Sequence, residues 1–206
     1  LYTIRFDFQA GKFTVTLNKD FASLYVPGGY QNWTPASAPT LASPAKDGNY
    51  SGYVYFNAAS EFKLTNQPDW AGTAYGSGGA GKISSTGGNL SVSAAGYYLI
   101  NANTVTNEYS ITATTWGVVG AFSGWGGNPD TQLTYSNGKW TGTLVLAADS
   151  ELKFRANSDW GINLGDDGAD GVLEGGGANL KLTAGTYSVV LNLSNPGYYT
   201  YSFMKQ

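Results

Sequence analysis

The chain has 206 residues, of which 15% are aromatic and only 12% charged, with 29 Gly and a formal net charge of −3. That length allows one large all-β domain or two modules of ordinary size, each able to bury a core. Cys and His are both absent, which excludes disulfides, thiol nucleophiles, imidazole-based triads and Cys/His zinc sites. A pI near 4.8 without a Lys/Arg cluster makes nucleic acid a poor candidate partner, and no apolar run approaches a membrane span.

In chain order, the first segment is set apart. Leu1-Tyr2-Thr3-Ile4 and Gly11-Lys12-Phe13-Thr14-Val15-Thr16 resemble the later pair Tyr97-Tyr98-Leu99-Ile100 and Asn107-Glu108-Tyr109-Ser110-Ile111-Thr112. Residues 1–20 therefore read as the closing hairpin of a preceding β domain, and the chain as a fragment of a longer protein. From there on, short alternating runs are separated by turn signals at Asp47-Gly48, Asn137-Gly138 and Asn195-Pro196-Gly197. In Trp140-Thr141-Gly142-Thr143-Leu144-Val145-Leu146, Trp140, Leu144 and Leu146 share a face. In Glu151-Leu152-Lys153-Phe154-Arg155-Ala156 the charges fall on one face, expected to be wet, and the apolar residues on the other. The expectation is antiparallel β throughout.

A shift of about 90 residues superposes the chain on itself. Tyr50-Ser51-Gly52 falls on Trp140-Thr141-Gly142, Glu61-Phe62-Lys63-Leu64 on Glu151-Leu152-Lys153-Phe154, Asp69-Trp70 on Asp159-Trp160, and Asn89-Leu90 on Asn179-Leu180. With a small gap, Trp33 meets Trp125. The fold class is thus all-β, as two tandem antiparallel β-sandwich modules over residues 21–114 and 115–206, preceded by the hairpin.

Four Trp recur outside the strand cores, in Gln31-Asn32-Trp33, Ser123-Gly124-Trp125, Pro68-Asp69-Trp70 and Ser158-Asp159-Trp160. A Trp in a polar loop presents a large rigid ring at little entropy cost. The C–H face of a pyranose sits well on such a ring, and two rings set at an angle follow the curve of an α-glucan helix. Lys63 and Asp69 in one module, and Lys153, Arg155, Asn157 and Asp159 in the other, are the polar candidates for sugar hydroxyls. The alternative is that the Trp residues cap the sandwich and the Lys are solvated strand faces. Trp116 and Trp140 read as structural.

The acidic stretch 165–171 looks like a calcium loop at first sight, but it departs from the EF-hand spacing, and its counterpart 76–81 holds no carboxylate. A solvated turn is the better reading, and no metal or cofactor is expected. Glycosidases need only two carboxylates. Glu61/Glu151 and Asp69/Asp159 recur, yet no second recurring acid stands opposite each Glu. Binding is favoured over hydrolysis.

The ordered set Val118-Val119-Gly120-Ala121-Phe122-Ser123-Gly124-Trp125, Lys139-Trp140-Thr141-Gly142, Glu151-Leu152-Lys153-Phe154 and Asp159-Trp160-Gly161-Ile162-Asn163-Leu164-Gly165-Asp166-Asp167-Gly168-Ala169-Asp170-Gly171 resembles the tandem carbohydrate-binding modules of the SusE/SusF family. The resemblance covers 115–206 and, more loosely, 21–114. It implies a non-catalytic, starch-binding lipoprotein on the outer-membrane surface, holding polysaccharide for neighbouring hydrolases and a transporter. The lipid-bearing Cys it implies is not in this chain. It further implies platforms of Trp125 with Trp160, supported by Lys153, Arg155 and Asp159, and of Trp33 with Trp70, supported by Lys63 and Asp69. Arg155 is replaced by Thr65 in the first module, where the 71–88 loop is recast in Gly and Ser. A structural spacer, or an accessory region of a glycan-degrading enzyme, is the alternative.

Overall fold

The computed structural model describes residues 2–7, 12–17 and 20–206. Tyr2–Asp7 and Lys12–Leu17 pair antiparallel as a two-stranded sheet of their own. The rest of the hairpin reading, Asp20 excepted, lies outside the described residues.

Two large antiparallel sheets account for the remainder. The first has eight strands, running from Glu108–Thr114 at one edge through Gly96–Asn103, Asn49–Phe56, Thr40–Ser43 and Ala22–Tyr25 to Leu64–Thr65, Ala74–Ser77 and Ile83–Ser84. Ser60–Phe62 pairs separately with Leu90–Val92. The second sheet centres on Trp116–Gly120, Ser150–Ala156, Tyr199–Lys205, Gly185–Asn192 and Lys139–Leu146. The alternation seen in the sequence places these strands. Trp140, Leu144 and Leu146 are buried, and the residues between them are exposed or half-buried. Asn137 and Gly138 take φ of 52° and 79° between Thr134–Ser136 and Lys139–Leu146. Positive φ at both central residues suits the right-handed twist of the flanking strands.

Leu24, Leu41, Val54, Phe56, Phe62, Leu64 and Ile100 form one core. The second joins Trp116, Val118, Trp140, Leu152, Phe154 and Leu191 to Tyr53 and Tyr97, which belong to the first sheet. Asn49–Phe56 and Gly96–Asn103 are therefore buried on both faces along part of their length, where simple alternation predicts one wet face. Tyr53 and Tyr97 stack at 5.8 Å and 5°. Tyr53 meets Trp116 edge-on at 5.6 Å, and Tyr97 meets Trp140 at 5.6 Å and Tyr135 at 4.7 Å. Such pairs add about 0.5–1.5 kcal/mol each beyond their area. Between the edge strand Glu108–Thr114 and Trp116–Gly120 stands Thr115 alone. Its amide donates to Asn157 Oδ1 at 2.9 Å, while Asn157 Nδ2 donates to the Ala113 carbonyl at 2.8 Å.

Replacing Tyr97 with Ser should cost about 3 kcal/mol. Differential scanning calorimetry should show one transition for the parent and a lowered or split transition for the variant.

Candidate functional site

Each Trp pair is built by two turns that leave neighbouring strands. After Ala22–Tyr25 the chain makes a short 3-10 turn at Gly29–Gln31, then Asn32 and Trp33 enter the left-handed region at φ 59° and 54°. Trp33 N–H donates to the Gly28 carbonyl at 2.9 Å. After Trp116–Gly120 the same turn recurs, with Gly124 and Trp125 at φ 62° and 54°. Left-handed backbone is costly for a bulky residue, and it occurs at the same Trp twice. The second Trp of each pair sits in a loop shaped by the Asp before it. Asp69 Oδ1 accepts from Ala71 N–H at 2.8 Å, and Asp159 Oδ1 from Gly161 N–H at 2.7 Å.

The pairs close in nearly the same geometry. Trp33 and Trp70 lie 6.4 Å apart at 41°, and Trp125 and Trp160 lie 6.1 Å apart at 37°. Trp70 is 47% exposed and Trp160 43%, whereas Trp116 and Trp140 are buried. Trp33 and Trp125 are half-buried. Trp70 Nε1 also donates to the Trp33 carbonyl at 3.3 Å, tying the two turns together. The result is a shallow, bent aromatic surface on each unit.

The polar candidates divide by position. Arg155 is not on a wet face. It is 5% exposed and makes a two-pronged bond to Asp130, Nε to Oδ2 at 2.8 Å and a terminal nitrogen to Oδ1 at 2.7 Å. Its guanidinium lies 4.9 Å from the centre of the Trp160 ring, so it supports the platform from behind. Gly126, at φ 105°, passes so close that a Cβ would fall 2.9 Å from the guanidinium. Thr65 in the first unit is fully buried and donates to the Gln67 carbonyl at 2.7 Å, a neutral support instead of an ion pair. Lys63 Nζ donates to the Gly87 carbonyl at 2.7 Å. Lys153 Nζ donates to Asn163 Oδ1 at 2.9 Å and to the Gly176 carbonyl at 3.1 Å. Both Lys are thus engaged with a neighbouring loop. Asn157 is directed to the linker at 113–115. Asp130, Gly126 and Asn163 escaped sequence reasoning. The signal for Asp130 was Arg155 itself, because a guanidinium that is buried needs an acid to pair with.

Comparisons with known proteins bear on this arrangement. Residues 23–112 match the family model described as SusF/SusE starch specific CBMs. A curated relative, the outer membrane protein SusF of Bacteroides thetaiotaomicron, is 31% identical over 119 residues, covering 51% of this chain and 24% of that protein. Residues 23–112 are thus similar to the SusF/SusE starch-specific modules. The chain spans about a quarter of the length of that relative. The crystal structure of SusF from the same organism aligns over 92% of this chain and 50% of its own, with 21% identity and a TM-score of 0.37.

The 165–171 loop is a solvated turn at residues 167–170, pinned at its base by Asp166. Asp166 is buried, and its carboxylate accepts from the amides of Gly168, Asp170 and Gly171 at 2.9–3.1 Å and from the Tyr201 hydroxyl at 2.9 Å. Burial opposes its charge, but these donors outweigh that cost and hold its pKa below the usual carboxylate range. No group of acidic side chains among the described residues is arranged to hold a metal ion. The Glu of the repeat is also occupied. Glu61 accepts from Asn89 Nδ2 at 2.9 Å, and Glu151 from Asn179 Nδ2 at 3.1 Å. Asn179 and Lys181 lower the Glu151 pKa, the reverse of what a glycosidase general acid requires.

Removing one partner of a buried ion pair strands the other. Arg155→Ala should therefore cost about 3–5 kcal/mol, read by urea denaturation. A depressed folded pKa contributes stability that is full above the unfolded value and is lost as pH falls through the folded one. The melting temperature should accordingly drop more steeply below about pH 4 in the parent than in Asp166→Asn, which starts less stable at neutral pH.

Proposed function

We propose that this chain binds a starch-like α-glucan, without acting on it chemically, at Trp33/Trp70 and at Trp125/Trp160. The single observation that carries the reading is the repetition of one exposed, tilted ring pair, 6.4 Å and 41° against 6.1 Å and 37°, in a chain with a match to starch-specific modules. Adjacent sugars of an α-glucan present apolar faces that turn along the chain, and two rings inclined to each other accept two such faces. Asp69 and Asp159 each shape the loop with one carboxylate oxygen and keep the other for a sugar hydroxyl. Lys63 and Lys153 hold the loops beside the rings and retain a further N–H each. Arg155 stiffens the second platform from behind, and Asn157 anchors the second unit to its linker.

The relative named as an outer membrane protein supports placing this binding at the outer-membrane surface, where the glycan would be held for an uptake transporter and hydrolases. No helix among the described residues is long and apolar enough to cross a membrane. Two sites in one chain raise effective concentration when both reach one polymer.

Affinity electrophoresis through starch-containing gels tests the reading. The parent should be retarded. Trp160→Ala and Trp70→Ala should each weaken their own site roughly tenfold or more with the fold intact by circular dichroism, and the double variant should migrate freely. Unretarded parent protein across a panel of glucans would leave the spacer reading in its place.

A further inference from the structure

The second ring pair differs from the first in what lies next to it. Between the first sheet and the loops of the second unit runs a cleft of about 500 Å³, within the size range of small-ligand sites. Tyr53 and Leu99 form one wall. Ile162, Asn163, Gly175 and Tyr199 form the other. Tyr53 and Tyr199 meet edge-to-face at 5.3 Å. No charged side chain lines the cleft, so its surface suits a neutral ligand that offers both apolar faces and hydroxyls.

The cleft adjoins the loop that carries Trp160. Gly161, Ile162 and Asn163 follow Trp160 directly, and all three line it. Asn163 Nδ2 donates to the Trp160 carbonyl at 2.9 Å, and its Oδ1 accepts from Lys153. Lys153 in turn reaches the carbonyl of Gly176, another lining residue. A continuous polar seam of Trp160, Asn163, Lys153 and Gly176 thus connects platform to cleft. In the first unit the matching Lys63 holds only the Gly87 carbonyl.

We infer that the cleft between the two units is a further sugar-binding subsite, extending the Trp125/Trp160 platform and receiving the next residues of the same neutral glucan. It rests on the glycan reading of that platform. Asn163 and the carbonyls of Gly161 and Gly176 supply hydroxyl partners, and the half-buried Leu99 and Tyr199 supply the apolar face.

Gly175 gives a clean probe, because a Cβ added there meets nothing within 4 Å and a large side chain would fill the cleft. In a Trp33→Ala/Trp70→Ala background, calorimetric titration with maltotriose and maltoheptaose should show a gain for the longer chain of roughly tenfold. Gly175→Trp should abolish that gain and leave maltotriose affinity unchanged. Ser51 lines the opposite wall with Tyr53 and Leu99, and Ser51→Trp repeats the test should the first variant misfold. In the unsubstituted chain, amide resonances of Asn163 and Gly175 should shift with maltoheptaose and not with maltotriose. Equal length dependence with and without the plug, or unshifted resonances, overturns the subsite while the platform stands. Failure of the background protein to bind either sugar, with Trp160→Ala no different, overturns the platform reading itself.

Discussion

Both sheets depend on the stacking of Tyr53 and Tyr97 against Trp116, Trp140 and Tyr135, because these rings make the outer face of one unit part of the core of the other. Aromatic rings at packing distance tolerate little sliding. The one-residue connection at Thr115 and its bonds to Asn157 remove the slack that a linker would otherwise provide. The two ring pairs are consequently carried on one body. The cleft walled by Tyr53 and Tyr199 exists only because the first sheet is held against the loops of the second.

The platforms show how far a local motif can go without its tertiary support. Each is set by a left-handed Trp and an Asp-shaped turn, features encoded within a few residues. What lies behind the rings is not local. Arg155 and Asp130 are 25 residues apart in sequence and meet in a buried two-pronged bond, whereas the first unit places the hydroxyl of Thr65 at the equivalent position. A buried ion pair is an uncertain source of net stability, but it is directional and strongly resists the loss of one partner. It holds the second platform by electrostatics, and the first is held by a turn bond and the Trp70–Trp33 contact.

The acidic loop belongs to the same contrast. Asp166 gathers three amides and a phenol around one carboxylate, so that the base of the loop closes on Tyr201. The recurring Glu–Asn bonds at Glu61 and Glu151 likewise join strand to loop. The repeated Glu residues are structural pins.

Much of this was legible in the sequence. Alternating strands, the Asn137-Gly138 turn, the repeat, the burial of Trp116 and Trp140 and the position of four loop Trp all follow from local periodicity and from the cost of left-handed or reversed backbone. The partners of Arg155, Lys63, Lys153 and Asn157 did not follow, since each is chosen by a residue distant in sequence, and no pattern within a strand records it. The wetness of a strand face failed for the same reason. Residues 151–156 and 49–56 alternate as half-exposed strands do, yet Arg155 and Tyr53 are buried by elements arriving from elsewhere. Which residues form strands and which rings stand in loops is written along the chain, because those depend on neighbours in sequence. What covers each face, and that the two units share a core, emerges on folding, because burial depends on neighbours in space.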